Sequence, residues 1–159
     1  MTSATVAANI TAIVSDLNAL LKERLGLTYS YKTDDPRPGE SYGLIGLGSM
    51  DAIEDQYSPF VEFTAPAFIR AGYAQYQDAV AGGYGLMMAL DSFIASATFQ
   101  VDKRGVLHEV SRVGVPINPE VRAAIKTVDG QGLDTWVVEV TCSVRLRCLV
   151  NRGQCGGIL

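Results

Sequence analysis

Histidine, cysteine and charge are all scarce in this 159-residue chain, and each scarcity excludes a class of function. The one histidine, His108, has no cysteine or carboxylate at ligand or triad spacing, so it reads as a strand-surface or partly buried imidazole rather than a catalyst. Three cysteines, Cys142, Cys148 and Cys155, cannot complete a disulfide framework. The first two lie on one extended segment about 20 Å apart at roughly 3.3 Å per residue, beyond disulfide reach. With no Cys-x-x-Cys pair, neither zinc nor any other cofactor is expected, and the thiols should be free. Charged residues make up 19% of the chain, below the usual quarter, while hydrophobic residues make up 48%. That is more apolar surface than a monomer of this size needs to hide, which points to interfaces between subunits. A net charge of -4 and a pI near 4.9 argue against a specific nucleic-acid binder, which presents a basic face to phosphates. The N-terminus lacks the basic start and apolar run of a signal peptide. The longest charge-poor stretch, 79–90, carries Gly82, Gly83 and Gly85 and meets Asp91, short of the ~20 apolar residues of a membrane span. A soluble protein without a membrane partner is the expectation.

The strongest pattern that is present runs over 134–150. Trp136, Val138, Val140, Cys142, Val144, Leu146, Cys148 and Val150 alternate with Glu139, Thr141, Ser143, Arg145 and Arg147. Side chains of a strand point to opposite faces in turn, so this is a long strand with one apolar and one polar side. Its length, against about 5–6 residues for an ordinary strand, suits a central position or an assembly contact. Val6, Ile10, Ile13, Val14, Leu17, Leu20, Leu21 and Leu25 recur at helical spacing, predicting an amphipathic helix over 3–25 closed by Gly26. A second helix is predicted over 85–97 from Leu86, Leu90, Phe93 and Ala97.

The intervening segments read less clearly. Residues 27–33 alternate like a strand, and 34–40, with Pro36, Pro38 and Gly39, reads as a loop. A strand is expected over 59–64, ended by Pro66, and a long packed loop over 65–85. Residues 99–102 and 106–113 suit a hairpin. Asn118-Pro119-Glu120 reads as the start of a short helix, with pairing of 122–128 as a strand the alternative. The fold class expected is α+β: an antiparallel or mixed sheet with a long C-terminal strand, packed by an N-terminal amphipathic helix and a central helix. One domain fills 1–150, and the glycine-rich 151–159 reads as a flexible tail.

No catalytic constellation of nucleophile, base and orienting group is visible, so no enzyme is expected. The spacing of Gly43, Gly46 and Gly48 matches neither phosphate-binding fingerprint. Charge is nevertheless unevenly laid out. Residues 1–65 hold nine acidic and four basic side chains, net -5, whereas 66–159 hold eight acidic and nine basic, net +1. The candidate interface therefore pairs Arg145 and Arg147, near the end of the long strand, with Asp51, Glu54 and Asp55 of a neighbour, the same two segments within one chain being the alternative. Unlike patches meeting in this way close a ring when the rotation permits.

The succession of a leading helix over 3–25, strands broken by a loop, a central helix over 85–97 and a terminal strand over 135–150 resembles the tail-terminator and head-to-tail neck proteins of long-tailed bacteriophages. The resemblance implies a structural virion protein, assembled in the host cytoplasm, that forms a homo-oligomeric ring and joins tail-tube or connector proteins. The apolar stretch 65–85 and the tail depart from that pattern. Two other classes fit the composition. One is a small ligand-binding protein or cone-barrel enzyme lined by Tyr73, Tyr76, Tyr84 and Met87; the other is a regulatory module binding a protein through the polar side of the long strand.

Overall fold

A computed structural model describes residues 3–32, 34–50, 60–101, 107–112, 117–124 and 135–149. Among them are two helices, α1 (Ser3–Leu25) and α2 (Tyr76–Val101). The strands are β1 (Ser41–Ile45), β2 (Ser49–Met50), β3 (Phe60–Tyr73), β4 (Leu107–Arg112), β5 (Asn118–Ala123) and β6 (Trp136–Leu149). They form one six-stranded antiparallel sheet. The two 14-residue strands β3 and β6 pair along their whole length, from Phe60 opposite Leu149 to Tyr73 opposite Trp136. β1 and β2 flank β3 end to end, and β4 and β5 flank β6 in the same manner. The α+β class and the long terminal strand are therefore as the sequence indicates.

β6 buries Val138, Val140, Cys142, Val144, Leu146 and Cys148 on one face beneath the helices, together with Ile69, Ala67 and Ala65 of β3. α1 contributes Ile13, Leu17 and Leu21, and α2 contributes Ala79, Leu90, Phe93 and Ile94. α1 ends where predicted. Gly26 takes φ 63°, the Gly26 N–H donates to the Glu23 carbonyl at 3.3 Å and the Leu27 N–H to the Lys22 carbonyl at 3.0 Å. This pair of hydrogen bonds satisfies two of the last four carbonyls, and buried Leu27 seals the turn.

Four sequence expectations are corrected. Residues 65–73 are not a loop, because β3 continues through Pro66. The Gly46 N–H donates to the Pro66 carbonyl at 2.8 Å, so Pro66 faces the junction where β1 gives way to β2 and its missing donor costs no ladder bond. Residues 76–84 are helix, not loop, and 99–101 are helix rather than strand. Small residues hide the period in that first half: Ala79 is buried, and a Cβ on Gly82 would lie 2.1 Å from the Tyr73 hydroxyl, so glycine there lets Tyr73 lie against the helix. Asn118–Ala123 is strand rather than helix. Ala124 N–H donates to the Thr135 carbonyl at 2.9 Å, and strand alternation then turns the Pro119 nitrogen to the outer edge, where no donor is required. Residues 27–32 make no strand, only an isolated bridge between Tyr29 and Tyr42. The predicted 102–106 turn, the 125–128 alternative and the tail at 151–159 lie outside the described residues.

The outer edge of β1 is sealed rather than open. Ser41 N–H donates to Thr28 Oγ1 at 2.5 Å and Tyr29 N–H donates to the Ser41 carbonyl at 3.0 Å. At the other end Ile45 N–H donates to Asn18 Oδ1 at 2.8 Å while Asn18 Nδ2 donates to the Ile45 carbonyl at 3.1 Å. The Asn18 amide imitates a neighbouring strand and blunts an edge that would otherwise recruit one.

Candidate subunit-interaction surfaces

The sheet has a second face, on which alternate residues of β6, β3, β1 and β5 stand together. At one end the segment 34–40 lies over it. A Cβ on Gly72 would fall 2.3 Å from the Arg37 carbonyl oxygen, and the two backbones exchange bonds, Gly39 N–H to the Gly72 carbonyl at 3.0 Å and Gly72 N–H to the Glu40 carbonyl at 2.9 Å. Two ion pairs fasten this cover. Arg122 donates to both carboxylate oxygens of Asp35 at 2.8 and 2.6 Å. Arg70 donates through Nε to Glu139 and through Nη1 to the Tyr42 hydroxyl at 3.2 Å, and that hydroxyl donates onward to the Asp34 carbonyl at 2.7 Å. Burial opposes the Arg70 charge, but its bonds to Tyr42 and Glu139 prevail and hold its pKa above the ordinary value. Arg122 is raised chiefly by its bond to Asp35. Glu40 is lowered, first by the Arg37 N–H it accepts and then by Tyr29. Each of these charges is matched within the chain, which suits a latch on the fold better than a reacting centre.

The other end of the polar face carries Arg145, Arg147 and Glu62. Arg145 is exposed and Arg147 half-buried, and both reach Glu62 of β3 at 3.7 Å. Glu62 belongs to the acidic 1–65 part of the chain, so two guanidiniums share one carboxylate of their own chain and the trio carries a net +1. Asp51, Glu54 and Asp55 lie outside the described residues. Among the described residues no group of three or more His, Cys, Asp or Glu side chains is placed to hold a metal ion.

Cys142 and Cys148 are buried free thiols on the helix side of β6. Burial raises both pKa values, with Arg112 partly offsetting the rise at Cys142, and takes Cys148 from its ordinary 9.0 to about 11. Native protein should therefore label slowly at these two positions with a thiol reagent, and at full rate in denaturant. The linkage has a definite sign. The buried thiol holds its proton more tightly than the unfolded one, so its stabilising contribution is complete below pH 9 and lost as pH rises towards about 11. Alkaline unfolding in that window should be shallower in Cys148→Ala; an unchanged slope would show that burial of Cys148 is not its source.

The helix side carries the apolar surface that composition anticipates. α2 runs unbroken through Gly82, Gly83, Gly85 and Asp91, so the stretch 79–90 that reads as too short for a membrane span belongs to a longer apolar helix. Its span Tyr76–Ser96 has the length and composition of a membrane-crossing helix, with 28% of its most apolar window buried. The buried side packs on the sheet; the other exposes Tyr76, Tyr84 at 64% and Met88 at 74%. Of the four residues Tyr73, Tyr76, Tyr84 and Met87, Tyr73 lies against Gly82 and Tyr76 stacks edge-on with Trp136 at 5.1 Å. A cleft of about 420 Å³ opens between α1, the end of β1 and β3, lined by Ile10, Val14, Leu44, Phe63 and Leu146 among others, with Leu47 on its rim 96% exposed. Sequence reasoning missed this cleft because its walls come from residues 10 to 146. The only local signal was the run Gly46-Leu47-Gly48, which lifts a leucine out of the sheet. No protein-family model matches this sequence, and no curated protein matches it either.

Proposed function

We propose that this chain is a structural virion protein, one subunit of a homo-oligomeric ring at the neck or tail end of a long-tailed bacteriophage, where it terminates the tail or joins it to the head. It performs no chemistry in this reading. It assembles in the host cytoplasm and contacts tail-tube or connector proteins. The observation that carries the assembly is the apolar surface left uncovered on a single subunit, on α2 and around Leu47, while the charged side chains of the covered sheet face are matched within the chain. A separated helix face of this composition exposed to water favours association. The bacteriophage setting rests on the order of elements described above.

Size-exclusion chromatography with light scattering tests the ring directly. The expected particle is a closed multiple of the 17.0-kDa subunit, seen as rings by negative-stain microscopy. A monomer at all concentrations overturns the reading. The Arg145, Arg147 and Glu62 trio supplies orientation, since exposed ion pairs contribute only about 0–1 kcal/mol each and act mainly on register and rate. Arg145→Glu with Arg147→Glu should weaken assembly several-fold and reduce its salt dependence, and Glu54→Lys with Asp55→Lys should partly restore it. Assembly indifferent to both the reversal and salt would remove these residues from the interface.

A further inference from the structure

We infer that neighbouring copies join by seating Tyr84 and Met88 of α2 in the cleft between α1, β1 and β3 of the next copy, a contact that rests on the ring reading and gives it a location. Tyr84 and Met88 are one helical turn apart, at the i, i+4 spacing that puts two side chains side by side. Both are mostly exposed, with Ala81 and Gly85 beside them. Gly85 is informative because its neighbours in sequence are explained and it is not. A Cβ on Gly82 would strike Tyr73, and one on Gly83 would touch Val138 at 3.4 Å, but one on Gly85 would meet nothing within 4 Å. A mid-helix glycine costs roughly 0.5–1 kcal/mol relative to alanine, and among the described residues no contact at Gly85 repays it. Low relief around two tall apolar side chains is what entry into a recess requires.

The cleft has the matching chemistry. Its volume of about 420 Å³ suits side chains of this size, and none of the described residues that line it is charged. Its one amide is already engaged, since Asn18 donates to the Val14 and Ile45 carbonyls and accepts from the Ile45 N–H. The described walls are therefore largely apolar, which suits an apolar side chain. Asp91 stands one turn beyond Met88 on the same stripe, where its carboxylate is met by Arg112 at 4.0 Å, so the charge at the margin of the knobs is matched within the chain. The two surfaces stand on different parts of the subunit. The cleft lies on the β1 side of α1, whereas α2, which packs against α1 and β3, extends over β6, β4 and β5 and turns its exposed face away from the sheet. Knob and recess on separate flanks make a heterologous contact, the kind that propagates into a ring.

Two variants separate the partners of this contact. Tyr84→Glu/Met88→Glu removes the knobs, and Thr11→Arg, at an exposed α1 position on the cleft wall, closes the recess. Leu47→Asp on the exposed rim serves in place of Thr11→Arg if that chain does not fold. Each variant alone should lose at least tenfold in assembly affinity by light scattering while keeping the far-UV circular dichroism of the subunit. Mixed, they should form a 1:1 pair and no ring, because one intact knob meets one intact recess. Variants that dissociate singly but stay monomeric together would show an isologous contact and overturn this one. Rings that survive both variants would overturn the contact and leave the ring reading standing; a monomeric wild type would overturn both.

Discussion

Val140→Asp should leave the chain without a stable native state. Val140 is wholly buried, paired with the equally buried Ile69 and sharing its face with Val138 and Cys142. No basic residue stands among those neighbours, so the carboxylate would be buried unpaired at a cost of several kcal/mol against a total stability of roughly 5–15. Because β6 pairs with β3, β4 and β5, its loss removes the ladder partner of each, and no local accommodation is available. Ser143→Asp, on the opposite face of the same strand and two residues from Arg145, should change stability by about 1 kcal/mol or less. Circular dichroism and soluble yield compare the two; equal damage from both would mean that the faces of β6 are wrongly assigned.

Gly72→Ala should destabilise the protein by about 2–4 kcal/mol, the second largest effect expected. The new methyl would sit 2.3 Å from the Arg37 carbonyl oxygen and 2.6 Å from that of Pro36, and both obstacles are backbone, which cannot rotate aside as a side chain does. Segment 34–40 must lift, breaking its two bonds to Gly72 and pulling Asp35 away from Arg122. Easier proteolysis within 34–40 should accompany the loss of stability. Gly85→Ala provides the opposite sign: with open space round its Cβ it should stabilise the subunit by about 0.5–1 kcal/mol. Denaturant titration of both variants measures the contrast, and a Gly72→Ala chain within 0.5 kcal/mol of wild type would mean that the cover over the polar face is not held as described.

The alternation over Trp136–Leu149 and the helical stripe closed by Gly26 were legible because each is a local regularity of period 2 or 3.6 that burial on one side enforces. The α+β class followed from those two elements and the second apolar stripe. The errors fall where a neighbour decides the conformation. Pro66 signals a strand end by itself, yet lies within β3 because the ladder on that side is interrupted at Gly46-Leu47-Gly48. Asn118-Pro119 has the composition of a helix start, yet the N-terminal half of β6 offers ladder partners and Pro119 turns its nitrogen outward. The glycines of 82–85 lower helix propensity, yet Tyr73 and Val138 occupy the space that two of them leave. The candidate surfaces divide in the same way. Arg145 and Arg147 were recognisable as a cationic end of the polar face from alternation alone, because the period assigns them a face. Their shared partner Glu62 was settled by register between strands more than eighty residues apart, and the cleft by α1 and the sheet converging, distances in sequence over which no local period operates.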